Sequence, residues 1–264
     1  TGKTSEDFPE TPSPQVKQSV KINGGDFINI IDKTGYASSK DDLKPALCGV
    51  YFNFKDNKIT AVATDGHKLV KHEQEVSEKT TTPLSIVLPL KFLNIVKTIT
   101  ENKEDVVVKI GENHAQTEQK NFTLITRTIK EAFPDFNSVI PDNNKTVAEV
   151  NTQEIVDCLK RVSIFSNKTT KQTILSFSTK GVMLSAQDIE TSTSAKEHLD
   201  CVFTGDEITT SYNAKYLIEV VQHLGGKETN IYLNSALTAA VFQTKENKEK
   251  EKTTSLLMPI RINQ

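Results

Sequence analysis

Apolar residues recur along this chain at two spacings, and the switches between them lay out its elements. Phe27, Ile30 and Ile31 fall at helical spacing after Asn23 and a glycine pair suited to a helix entrance, and Gly35 closes that helix. LCGVYFNF (47–54) and KITAVATD (58–65) read as strands, and Asp56-Asn57 between them carries hairpin chemistry. A third strand is expected over Lys68–His72 and another over Ser85–Leu88. Pro89 then opens a helix whose buried side is Phe92, Ile95, Val96 and Ile99. VVVKI (106–110), the segment His114–Thr117 and NFTLITRTI (121–129) complete this set of strands.

Past Pro141 the same order returns. A strand at Val147–Val150 leads to a helix with Asn151 as cap, Glu154 three residues on, and Ile155, Leu159 and Val162 on one face. ILSFS and VMLSAQ are strands turning at Lys180-Gly181. A strand near Ile208–Tyr212 precedes the helix AKYLIEVVQHL, which Asn213 caps and Gly225-Gly226 ends. NIYLN, TAAVFQ and SLLMPIRI finish the chain, with KENKEKEK (245–252) a solvated loop between the last two. The pattern is a βαβββ unit repeated, so the expected fold class is α+β, in two domains, 19–141 and 142–264. Residues 1–18, with three prolines and no apolar period, read as a linker, and structure should begin near Ser19. Phe-Pro followed by a polar stretch occurs in EDFPETP (6–12) and EAFPDFNSVIP (131–141), punctuating the chain before each repeat.

Composition narrows the picture. The chain has 264 residues, 36% apolar and 25% charged, and no apolar run approaches a membrane span or signal peptide, so a soluble, cytoplasmic protein is expected. Cys48, Cys158 and Cys201 are odd in number, far apart and without a CxxC pair; they are expected to be reduced core thiols, not a disulfide framework or zinc site. A net charge of −2 gives no global attraction to nucleic acid, so any such contact must come from a local arrangement of Lys and Arg. Thr64-Asp65-Gly66-His67-Lys68 gathers polar side chains, and a phosphoesterase using Asp65 and His67 is one reading of it. Gly66 between two strands suits a tight turn, however, and nothing in the spacing makes the two side chains converge or supplies an orienting partner. No P-loop, GxGxxG, HExxH or GxSxG occurs; Thr1-Gly2-Lys3-Thr4 lacks the strand and glycine of a Walker motif. No catalytic residue, metal or cofactor is expected.

LCGVYFNF followed by ITAVATDGHKLV, then FPDFNSVIP, SYNAKYL and the terminal LLMPIRI together resemble the bacterial replicative DNA polymerase β subunit family, the sliding clamps. The resemblance covers the second and third domains of a three-domain clamp, and makes EDFP the last residues of a first domain that the chain lacks. It implies the DNA clamp fold, with two helices packed on antiparallel sheets in each domain, and a ring of two subunits around double-stranded DNA, with helices facing the hole and outer sheets continuous across domain boundaries. It also implies a non-catalytic processivity factor that tethers the replicative polymerase, the clamp loader and repair factors through short linear peptides. Carried over by position, the peptide pocket comprises Leu47, Thr64, Gly66, His67, Lys68, Leu69, Pro134 and Val139 from one domain. Asn213, Tyr216, Leu237, Met258, Pro259, Ile260 and Arg261 come from the other. Ser138 and Thr170 stand where many relatives have an arginine and an aromatic residue, and Lys68 replaces a common arginine, so peptide preference should differ. Lys33, Lys91, Lys97, Lys160, Arg161 and Lys215 on predicted helices, with Lys168 and Lys171 after one, are the expected DNA-facing cations. Ile164 and Phe165 match the subunit seam, which has no partner without the first domain, so this chain alone should not close a ring. A clamp-like interaction module without a DNA role is the other alternative.

Overall fold

Each helix begins where a strand hands its backbone to a capping residue. In the computed structural model, which describes residues 15–141, 143–246 and 249–262, strand β1 (Val16–Asn23) begins three residues before the expected Ser19 and runs into α1 (Gly24–Thr34). Asn23 Oδ1 accepts the N–H groups of Gly25 at 3.0 Å and Asp26 at 3.4 Å, satisfying donors that the first turn leaves open. Gly35 follows α1 without a left-handed backbone; a β-carbon there would stand 3.0 Å from Leu90 Cδ1, so its value lies in close approach. The first Phe-Pro copy and Thr1–Thr4 lie outside the described residues.

The hairpin expected at Asp56-Asn57 is not formed. Residues 47–65 supply one strand, β2 (Gly49–Thr64), and it pairs along its length with β3 (Lys68–Pro89), which unites the two strands expected at 68–72 and 85–88. Asp56 does adopt a positive φ of 55°, but the register shifts around it mark an irregular bulge whose extra residues lie on β3: Phe54 pairs with Leu84 and Lys58 with Glu75, so β2 runs on without reversing. Helix α2 (Leu90–Ile99) opens after Pro89 and buries Phe92, Leu93 and Val96, whereas Ile95 and Ile99 are exposed. The expected stripe was rotated, because Leu93 takes the inward place assigned to Ile95. β4 (Asp105–Gly111), β5 (His114–Gln119) and β6 (Phe122–Arg127) follow.

The second half repeats the plan with β7 (Thr146–Asn151), α3 (Thr152–Val162), β8 (Gln172–Ser178) and β9 (Gly181–Asp188). Next come β10 (Thr193–Leu199), β11 (Val202–Thr204), β12 (Ile208–Asn213) and α4 (Ala214–Leu224). β13 (Glu228–Leu233), β14 (Ala240–Thr244) and β15 (Glu251–Leu257) close the chain. Asn151 and Asn213 cap α3 and α4 as Asn23 caps α1. Gly225 and Gly226, at φ 69° and 83°, end α4 in the left-handed region. The terminal strand stops at Leu257, short of the expected Ile262, and the charged run is part loop and part strand, since β15 begins at Glu251.

Among the described residues these strands form three sheets. Two are four-stranded, in the orders β1-β4-β5-β6 and β10-β9-β8-β12; the third has seven strands, β11-β7-β13-β14-β15-β3-β2. That third sheet crosses from one half of the chain to the other: Glu251–Leu257 pair antiparallel with Gln74–Lys68. Each half has its own core, one around Phe27, Phe52, Phe54 and Leu93, the other around Leu159, Phe177, Tyr212 and Phe242. Cys158 is buried and its thiol is pushed up to about 12, by burial first and then by Glu197. Cys48 and Cys201 are only partly buried, because each sits at the margin of a sheet or loop and not in a core.

Candidate functional site

The Thr64–Lys68 turn uses up its own polar groups. Gly66 has φ 90°, and open space surrounds the position a β-carbon would take, so glycine is required here by conformation alone. Asp65 Oδ1 accepts the N–H groups of His67 and Lys68, both at 2.9 Å, while Thr64 Oγ1 donates to the Lys68 carbonyl at 2.8 Å and accepts from Gly66 N at 3.1 Å. The other Asp65 oxygen lies 2.8 Å from Lys68 Nζ. A carboxylate engaged on both oxygens is a poor general base, and the His67 ring stacks on Tyr216 at 5.7 Å instead of meeting it. Asp65 and His67 therefore do not form a catalytic pair.

Lys68 keeps its charge inside the protein. Its side chain is 5% exposed, bridges Asp65 and Glu219 Oε2 (3.1 Å), and holds its ammonium 4.4 Å above the Tyr216 ring. Burial works against the charged form, but the hydrogen bonds and charges of Asp65 and Glu219 outweigh it and hold the Lys68 pKa above the ordinary lysine value.

Backbone hydrogen bonds bring the C-terminal segment to this turn. Leu256 and Leu257 pair with Leu69 and Lys68, and Met258 N then donates to the His67 carbonyl at 2.9 Å. Farther on, Ile260 N donates to Ser211 O at 2.7 Å, Ser211 Oγ returns a bond to Ile260 O at 2.7 Å, and Gln172 Nε2 donates to Arg261 O at 3.1 Å. Met258–Arg261 is thus fastened between the turn and β8/β12 in extended form, with Pro259 between its anchors. Asn213 contributes by capping α4 and by donating to the Thr170 carbonyl at 2.9 Å.

Beneath lies an apolar cluster shared by both halves: Val62, Leu69, Ala239, Val241 and Leu256, with Phe133, Phe136 and Ile140 packed against it. Val139 and Met258, next to cluster or core residues in sequence, and Leu237, two residues before Ala239, stay 54%, 49% and 65% exposed. Pro134 is exposed between the two phenylalanines. Leu47 sits apart on the short helix Pro45–Leu47, its carbonyl held by Ser39 N at 2.8 Å. Ser138 turns its hydroxyl to Asp135 O, and Thr170 N is held by Asn167 Oδ1. Of this floor, only Leu69 was expected from the sequence. The floor's signal was present in uninterrupted apolar runs: in Ala239–Phe242 and Leu256-Leu257, neighbouring residues fall into different clusters, the mark of a sheet buried on both faces.

Against the same Asp65–Lys68 turn, α1, α2 and α4 line an open polar cleft of about 780 Å³. Lys40 and Lys44 line it together with Lys97 and Lys215; the first two were missed because they lie on a loop and not on a helix. Lys33 does not present its charge to an open helix face. Its ammonium donates to the carbonyls of His223 (2.8 Å) and Leu224 (2.6 Å), closing the C-terminus of α4 from the other half. Lys97 pairs with Asp32, Arg161 with Glu197, and Lys160 with Asp157 at 3.7 Å. Lys91, Lys168, Lys171 and Lys215 are exposed. Ile164 and Phe165 occupy the short helix Ser163–Phe165, 76% and 38% exposed.

Comparison with known proteins agrees with this fold. Residues 21–135 match the family "DNA polymerase III beta subunit, central domain", and residues 137–261 match its C-terminal domain. The beta sliding clamp of Haemophilus influenzae is 26% identical over 263 residues, spanning 98% of this chain and 69% of that protein. That of Vibrio cholerae is 24% identical over 256 residues, with 97% and 69% covered. Among solved structures, the Pseudomonas aeruginosa clamp bound to griselimycin superposes with a TM-score of 0.92 at 21% identity, covering 98% of this chain and 69% of that one. The Bacillus subtilis clamp does so with a TM-score of 0.92 at 23% identity, covering 98% and 68%. With both family descriptions matched in order along nearly its whole length, this chain belongs to the DNA polymerase III beta subunit family.

Proposed function

We propose that the chain serves as a sliding clamp, a processivity factor that encircles double-stranded DNA and tethers the replicative polymerase, the clamp loader and repair factors through a peptide site at the junction of its two halves. Residues 19–141 and 142–264 act as the middle and C-terminal clamp domains. The observation that carries the peptide-site reading is the Met258 N to His67 O hydrogen bond, which joins the two halves; Val139, Leu237 and Met258, all exposed, are assigned to the apolar rim of the site. Such a rim over an apolar floor suits leucine and phenylalanine side chains, with the flexible methionine adapting to each partner.

A clamp must move along DNA, so base readout would stall it and many phosphate contacts would hold it in place. A near-neutral charge of −2 fits that requirement, as does the pairing of Lys97, Lys160 and Arg161 with carboxylates. Lys91, Lys168, Lys171 and Lys215 are the helix-side cations assigned to DNA. Ile164 and Phe165 are the apolar residues assigned to the seam of a two-subunit ring, a use that accounts for their exposure. No helix among the described residues is long and apolar enough to cross a membrane, and the cytoplasm, where bacterial DNA lies, is the assigned location.

The test is fluorescence anisotropy with a fluorescein-labelled peptide in which leucine and phenylalanine alternate with serine. Wild type should bind at about micromolar Kd, near −8 kcal/mol. His67→Ala and Met258→Ala, one from each half, should each weaken it about tenfold. Affinity unchanged in both variants would refute the site, and phosphodiester turnover lost in His67→Ala would refute the non-catalytic reading.

A further inference from the structure

Tyr216, Glu219 and His223 stand at i, i+3 and i+7, so they share one face of α4, and that face meets the other half of the chain. His67 stacks on Tyr216, Tyr36 stacks on His223 at 4.0 Å, and Lys68 reaches Glu219 between them. Lys68 is the pivot. Its buried ammonium has lost water and must be held by protein groups. Asp65 supplies one carboxylate from the same turn, but its other oxygen is committed to two backbone N–H groups. Glu219 supplies the second carboxylate, and it alone of the two comes from α4.

We infer that Glu219 is a positioning residue of the peptide site: by holding the Lys68 ammonium over Tyr216 it fixes the Gly66–His67 turn to α4 and sets the stacking of His67 on Tyr216. The inference rests on the peptide-site reading. It also changes what Lys68 contributes, because a cation neutralised inside the protein offers no charge to a ligand. Selectivity on this wall then comes from two rings and the apolar floor.

The experiment compares wild type with Glu219→Gln, Glu219→Asp, Lys68→Met and the Lys68→Met/Glu219→Gln double variant. Carbon-edited NMR reads the His67 and Tyr216 ring protons, whose stacking shifts each other's resonances. Glu219→Gln should move both sets towards unstacked values while the methyls of Leu93 and Leu175, one in each core, stay in place; Glu219→Asp should restore part of the shift. The same labelled leucine/phenylalanine peptide should bind Glu219→Gln about tenfold more weakly than wild type. In the double variant the two losses should not add, since either substitution alone breaks the tie. Ring resonances that stay put in Glu219→Gln, peptide affinity within twofold of wild type, or additive losses would each overturn the inference. A wild type that does not bind the peptide would refute the peptide-site reading, and the ring resonances would still decide whether Glu219 sets the stack.

Discussion

The two sides of the domain junction are built on opposite principles. On one side, Val62, Leu69, Ala239, Val241 and Leu256 meet as an apolar floor beneath a continuous sheet. On the other, Lys33, Tyr36, His67 and Lys68 grip one helix, α4, through its carbonyls, rings and a carboxylate. Apolar burial is strong but indifferent to small shifts in register, whereas ion pairs and stacked rings add little net energy and hold only at defined geometry. The floor provides strength, and the α4 contacts provide alignment. A site that must present a shallow socket in fixed register needs both.

The largest effect should come from the floor. Leu256→Ala removes a side chain 4% exposed and should cost about 2–5 kcal/mol, read as a lower urea midpoint. Lys33→Met should cost less, about 1 kcal/mol, by uncapping the C-terminus of α4. If Lys33→Met matched Leu256→Ala, the division of labour between the two sides would be wrong.

A smaller effect should follow from pH. Because Lys68 has a pKa raised above its unfolded value, its contribution is fully present below the unfolded lysine pKa of about 10.4 and is lost as pH rises through the higher folded value. The alkaline fall in stability should therefore be shallower in Lys68→Met than in wild type, as followed by urea melts between these limits. Smallest of all, Lys215→Ala should leave stability unchanged and reduce the slope of log affinity for DNA against log salt by about 0.9 if Lys215 meets a phosphate. An unchanged slope would remove Lys215 from the DNA-facing set.

Local signals were legible where one residue decides a local outcome. Asn23, Asn151 and Asn213 announced three helices, and Gly225-Gly226 a helix end, because capping and left-handed backbone depend on that residue alone. Asp56 misled for a related reason: the same positive φ serves a turn or a bulge, and only the partner strand decides which. β10 was invisible because an edge strand reading TSAKEHL carries no apolar alternation. In the candidate site the motif placed the Gly66 turn and the C-terminal segment together, but not the burial of Lys68 or the diversion of Lys33 to α4. Both depend on partners more than 140 residues away, Glu219 and the end of α4, which no local pattern encodes.

The central claim is that one ligand site is assembled from both halves at the apolar rim. Methyl NMR of the chain titrated with the labelled leucine/phenylalanine peptide tests it most directly. The account predicts that Leu69, Val139, Leu237 and Met258 shift together along one binding curve while the exposed Leu43 and Ile189 stay fixed. Shifts confined to one half, or centred on Leu43 or Ile189, would contradict it.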